Sequence, residues 1–113
     1  MTLRISAFVF AFVAGILAVP HASGQEYPAK TIRIIVPFTP GGGNDIVARI
    51  LGVQFTQLHK QQVIVENRAG AGTIIGVDAL AKSAPDGYTL MVTNNSLAVN
   101  HTLYPKLTYD AVK

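Results

Sequence analysis

The sequence contains no cysteine. Disulfides are therefore excluded, and the fold must be held by packing alone. Lipid attachment at a mature N-terminal cysteine is excluded by the same absence. Charge is sparse: nine Lys and Arg stand against six Asp and Glu, a net of +3 over 113 residues. No basic run is interleaved with aromatics, so the footprint of a nucleic-acid binder is missing. Histidine is scarce too. His21, His59 and His101 show neither metal-ligand spacing nor a Ser/His/acid set, and they read as surface or capping residues. No catalytic residue, metal or cofactor is expected.

What is present begins with a targeting segment. "MTLR" is a short basic region, an apolar run extends from Ile5 to Val19, Pro20 breaks it, and the small-residue segment "HASGQ" follows. This is the grammar of a cleavable secretory signal peptide, residues 1–24, with Ala22 and Gly24 ahead of the cut. The apolar run is shorter than the ~20 residues of a spanning helix. Setting Arg4 aside leaves a net charge of +2. Residues 25–113 are then short for a stable core without staples. "TYDAVK" brings no closing element, so the chain reads as a fragment or a truncated product.

Periodicity gives the organisation. "TIRIIVP" (31–37) is β-branched and almost continuously apolar, like a strand buried on both faces. "TPGGG" turns the chain into a helix running to about Lys60, with Asn44 as expected N-cap and Asp45 suited to the helix dipole. Val47, Ile50, Leu51 and Leu58 fall on one face of that helix, flanked by Ile46 and Val53. "QVIVEN" (62–67) is a second strand, "TIIGVDALAKSA" a second helix and "YTLMVTN" (88–94) a third strand, entered through the turn "PDG". A short helix or turn ends near Pro105. The order βαβαβ predicts an α/β fold with a parallel sheet.

Ligands of such sheets sit beyond the carboxyl ends of the strands. Those ends carry "FTPGGGND", "NRAGAG" and "TNNS". The first two lead into helix N-termini, whose free N–H groups and positive dipole end favour an anion. Glycines let a ligand oxygen reach that backbone. Phosphate is the rival anion. A Walker loop needs Lys and Ser/Thr after the glycines, where this chain has Asn44 and Asp45. "GAGTIIG" is one residue too long for the dinucleotide fingerprint and follows the second strand of the unit. Taken singly, each glycine loop is also readable as a tight turn or as helix–sheet packing. Their convergence on one edge favours binding. "NNS" and "NHT" match the N-glycosylation pattern, which matters only in a eukaryotic secretory route.

The strings "YPAKTIRIIVPFTPGGGNDIVARI", "VIVENRAGAGTIIGVDALAKSAPDGYTLM" and "NHTLYPKLTYD" together resemble the N-terminal third of the Bug-type receptors of tripartite tricarboxylate transporters. The resemblance implies domain 1 of a type II periplasmic binding protein, with the second domain absent from residues 25–113. It implies a non-enzymatic periplasmic receptor that binds a small carboxylate (a di- or tricarboxylate, amino acid or aromatic acid). Delivery would be to the membrane components of the transporter. Carried over, the ligand contacts would be Phe38, Pro40, Gly41, Gly42, Gly43 and Asp45 in the first loop. Gly70, Ala71, Gly72 and Thr73 would supply the second, and Thr93, Asn94 and Ser96 the third. Thr73 stands where many members have another glycine. The rival readings are a truncated product without binding function and a nucleotide- or phosphate-binding enzyme fragment.

Overall fold

The computed structural model describes residues 24 and 26–110. The signal-peptide expectation for 1–24 falls almost wholly outside them. Strand β1 (Ile32–Val36) is followed by α1 (Gly43–His59), β2 (Val63–Asn67), a 3-10 turn (Ala71–Thr73), α2 (Ile74–Ala81), β3 (Thr89–Met91) and α3 (Ser96–Leu103). The sheet is parallel with order β2-β1-β3. The expected βαβαβ order is thus present, with the third strand shorter than 88–94.

The central position of β1 explains its composition. Ile32, Ile34, Ile35 and Val36 are all buried, because neighbours flank the strand on both edges and helices cover both faces. The chain moves one way from β1 to β2 and back across β1 to β3. Right-handed crossovers then place α1 and α2 on opposite faces. On the α1 face, Ile34 and Val36 pack with Ala48, and Phe38, Val63, Val65, Leu90 and Val92 close around them. In the register, Val36 lies opposite Asn67. The last residues of β1 and β2 are therefore level, and the loops that follow start side by side.

One reading of the helices is corrected and another is completed. The N-cap of α1 is Gly42, with Asn44 already inside the helix, and no side chain caps this terminus. The apolar residues of α1 do not face the sheet: Val47, Ile50, Leu51, Val53 and Leu58 are 40–73 % exposed. The helix instead lies on the sheet through Asp45, Ala48 and Gly52, all buried. A Cβ at Gly52 would already stand 3.4 Å from Val63 Cγ1. Small residues let the helix axis approach β2, and the bulky aliphatic residues are displaced outward. Periodicity counted the apolar residues but did not show which stripe the sheet needs.

At the opposite end of the sheet the N-terminal lead-in is tied down. The Tyr27 hydroxyl donates to Gly87 O at 2.7 Å, and Ala29 N donates to the Tyr88 hydroxyl at 2.8 Å. Lys30 Nζ lies 3.0 Å from Asp86 Oδ2 and 4.4 Å from the Tyr88 ring centroid.

The tightest backbone approach is at α2. A Cβ at Gly76 would fall 2.6 Å from Pro37 Cβ and 2.9 Å from both Pro37 Cα and Arg68 O. Two of these atoms are backbone, so the helix would have to move. We expect Gly76→Ala to lower stability by about 1–3 kcal/mol, as overpacking does. A urea midpoint equal to that of the unsubstituted chain would contradict the contact.

Candidate functional site

Three loops leave the carboxyl ends of β1, β2 and β3 at one edge of the sheet, and together with the first turns of the helices they enter they hold all the residues expected to bind. In the first, Phe38 is half-buried against the core, and Pro40, Gly41 and Gly43 are exposed. Gly41 has φ +86°, a value that side chains rarely adopt. Gly42 is extended (φ −76°, ψ 167°), and its carbonyl accepts the first helical bond, from Ile46 N at 3.0 Å. The first turn of α1 therefore presents its N–H groups without a side-chain cap.

Asp45 sits behind this loop rather than on its surface, with 3 % exposure. Its Oδ2 accepts from Gly41 N at 2.9 Å and from Arg49 Nε at 3.0 Å. Its Oδ1 accepts from Asn67 Nδ2 at 2.9 Å. These bonds, led by that of Arg49 and followed by those of Gly41 and Asn67, lower the Asp45 pKa from its ordinary 3.8 to about 2. The same Asn67 Nδ2 also lies 3.1 Å from Phe38 O.

The second loop is built from an unusual backbone. Gly70, Ala71, Gly72 and Thr73 have φ of 131°, 47°, 61° and 82° in succession. A β-branched residue at positive φ is a true outlier, with a cost of order 1–3 kcal/mol. Thr73 is nonetheless buried there. Its N–H donates to Gly70 O at 3.0 Å, and its hydroxyl accepts from Asn100 Nδ2 at 3.0 Å. Asn100, buried on α3, also donates to Gly72 O at 2.6 Å. A glycine would adopt this φ without that cost.

The third loop touches the second, with Ser96 Oγ 3.4 Å from Thr73 Oγ1. Asn94 is exposed, and its Oδ1 accepts from Ser96 N at 3.0 Å. The hydroxyl of Thr93 is buried without a hydrogen-bond partner among the described residues. The first and second loops are joined by Arg68 N donating to Val36 O at 2.8 Å. The structure thus brings the three predicted loops into one contiguous edge. Sequence reasoning missed Arg49, Asn67 and Asn100. Asn67 closes a strand and opens "NRAGAG", and Asn100 lies in a helix and opens "NHT", but neither string points to a brace across elements; only the (i, i+4) spacing of Asp45 and Arg49 was available as a signal.

Elsewhere, His59 is exposed and stacks on Phe55 with centroids 5.9 Å apart, and His101 is exposed on α3. Among the described residues no group of three His, Asp or Glu side chains could hold a metal. An open groove of about 480 Å³ lies between α1 and β2, lined by Gly52, Val53, Val63 and Val65 with Arg49 at one end. It runs along the helix flank.

A short parallel α/β sheet of this kind is shared with periplasmic binding proteins. MatC of Rhodopseudomonas palustris, solved with bound malate, superposes with a TM-score of 0.71 at 35% identity, over 77% of this chain and 30% of that one. The periplasmic binding protein BugD gives 0.71 at 34% identity, over 75% and 28%. Protein BugT of Bordetella pertussis is 47% identical over 107 residues, 93% of this chain and 32% of its own length. Residues 47–113 match the tripartite tricarboxylate transporter family receptor, TctC. The chain belongs to that family of solute-binding receptors, and it spans about a third of the length of the relatives it matches.

The depressed Asp45 pKa makes a prediction with a definite sign. A carboxyl whose folded pKa lies below its unfolded value contributes stability that is full above about pH 4 and is lost as pH falls through about 2. The stability gap between the unsubstituted chain and Asp45→Asn should therefore be constant from pH 7 to about 4 and shrink toward pH 2. A gap independent of pH over that range, by urea denaturation, would show that ionised Asp45 does not hold the loop.

Proposed function

We propose that residues 25–113 form one wall of a receptor site for a small carboxylate, held by backbone N–H groups of the two glycine loops. The observation that carries this reading is the open space around the first loop. A Cβ at Gly43 would meet no atom within 4 Å, and one at Gly42 would meet only Thr39 O, at 3.6 Å. Neither position has the positive φ that would demand glycine. Packing and backbone geometry leave room for side chains at both, so their bareness is explained by something that must come close. The uncapped start of α1 supplies donors and a positive dipole end to an anion there. The inward-turned Asp45 carboxylate keeps its charge bonded to Gly41 N, Arg49 and Asn67 rather than opposed to the ligand.

The second loop, Gly70 to Thr73, and Thr93, Asn94 and Ser96 of the third would meet the remainder of the ligand. The malate found in MatC is a small dicarboxylate of the kind this edge suits, and malate is the probe of choice. The receptor would deliver its cargo to the membrane components of a tripartite transporter, after export directed by residues 1–24. Exported protein should accordingly begin at Gln25, and an intact mass retaining Met1 would overturn the cleavage site.

The binding reading is tested by Gly42→Val. Its extended backbone accepts a β-branched residue, so the circular dichroism spectrum should be unchanged. A single wall should bind weakly, so amide NMR shifts at Gly42, Gly43 and Gly72 during titration with millimolar malate are the suitable measurement. The substitution should weaken the response by about 1.5–3 kcal/mol, the usual worth of a hydrogen bond to a charged group, or roughly ten- to a hundredfold. An equal response in Gly42→Val would mean that the glycines form only a turn.

A further inference from the structure

We propose that Asn67, acting with Arg49 through Asp45, is a positioning residue that sets the first glycine loop against the second. The proposal deepens the carboxylate-site reading and rests on it for its functional meaning, although the positioning itself is a property of the chain alone.

Asn67 occupies a singular place. It is the last residue of β2, level with Val36 in the parallel register, and its parity puts it on the α1 face with Val65. The chain beyond it becomes the second glycine loop after only Arg68 and Ala69. Its side chain, however, belongs to the first loop. Nδ2 donates to Asp45 Oδ1 at 2.9 Å and lies 3.1 Å from Phe38 O, and Oδ1 accepts from Arg49 Nη2 at 3.3 Å. One amide thus grips the first loop at Phe38 and, through Asp45, at Gly41, whose N–H donates to the same carboxylate at 2.9 Å. The charges facing this amide are Asp45 and Arg49, which pair with each other.

The consequence concerns which N–H groups the first loop offers. Asp45 claims the Gly41 N–H and so turns that amide inward, leaving those of Gly42 and Gly43 to begin the uncapped helix. A carboxylate with three donors has little freedom to shift, and the Asn67 amide is anchored in the strand that launches the second loop. The separation of the two loops is therefore transmitted through hydrogen bonds rather than left to the flexibility of glycine. A ligand with two anionic ends needs that separation to be correct, because donors misplaced by an ångström lose most of their effect.

The test uses the chain and three substitutions. Asn67→Leu keeps the size of the side chain and removes its hydrogen bonds, and Asn67→Ala serves if the leucine variant does not fold. Val77→Ala, in the buried contact of α2 with the sheet, lowers stability without touching the network. Amide exchange is followed at Gly41 and at the slowest amides of β1, and malate binding is followed by NMR shifts with every variant folded. Either Asn67 substitution should speed Gly41 exchange by at least about tenfold beyond any change in β1, and weaken malate by a similar factor. Val77→Ala should speed β1 exchange and leave malate affinity unchanged. Gly41 exchange that merely follows β1 in the Asn67 variants would overturn the proposal, as would an equal loss of malate in Val77→Ala. If the unsubstituted chain shows no malate response, the carboxylate reading fails by itself, and Gly41 exchange still decides whether Asn67 positions the loop.

Discussion

A buried carboxylate must be paired, and the way Asp45 meets that requirement organises the candidate site. Taking an ion out of water costs several kcal/mol unless hydrogen bonds replace its hydration. With 3 % exposure, Asp45 has few options, and the donors it collects come from three places in the chain. Gly41 belongs to the preceding loop, Arg49 lies one turn along α1, and Asn67 ends the neighbouring strand. One desolvated charge thereby joins a loop, a helix and a strand. The bend of the first glycine loop follows, since Gly41 must point its N–H inward at φ +86° to satisfy the charge.

The second loop solves a different problem with a similar device. Positive φ at four successive residues leaves only a short 3-10 turn, closed by Thr73 N to Gly70 O, to hold the backbone, and Thr73 adds steric cost. Asn100 reaches from α3 to the Gly72 carbonyl and the Thr73 hydroxyl, making an external brace where internal bonds are few. Tyr104 contributes as well: its hydroxyl stands 2.9 Å from where a Cβ on Gly72 would lie, so that glycine is confined from outside. Each glycine loop is thus flexible by composition and held by an asparagine from another element.

The fold was legible because its strongest signals are physical necessities. A β-branched apolar run such as Ile32–Val36 has few stable places other than the middle of a parallel sheet, and turn residues at 40–43, 68–72 and 85–87 punctuate the elements. The loop edge was legible for the same reason, since strand polarity puts all three loops on one side. The inward stripe of α1 was not. Hydrophobic periodicity points to Val47, Ile50 and Leu51, yet close approach to β2 selects Ala48 and Gly52, whose value lies in being small. Asn67 and Asn100 were hidden because an amide brace depends on tertiary placement and leaves no local pattern. Asp45 was visible as an acid in the first helical turn, which is correct but incomplete, because its partners are Arg49 one turn on, a loop amide and a distant asparagine.

The electrostatic character of the edge follows from these choices. Arg49 is committed to Asp45, Arg68 to Glu66 at 2.6 Å, and Arg33 to Glu66 at 3.5 Å, so the nearby guanidinium groups are paired. What the first loop offers an anion is therefore peptide dipoles rather than full charges. For the proposed receptor role this distinction has consequences. Neutral donors recognise the shape and spacing of carboxylate oxygens, and water satisfies them when the ligand is absent. Fixed arginines would bind anions of many kinds and release them slowly. A site built on backbone N–H groups depends instead on exact placement of those groups, and so the bracing of Gly41 by Asp45 and of Gly72 by Asn100 matters more here than added positive charge would.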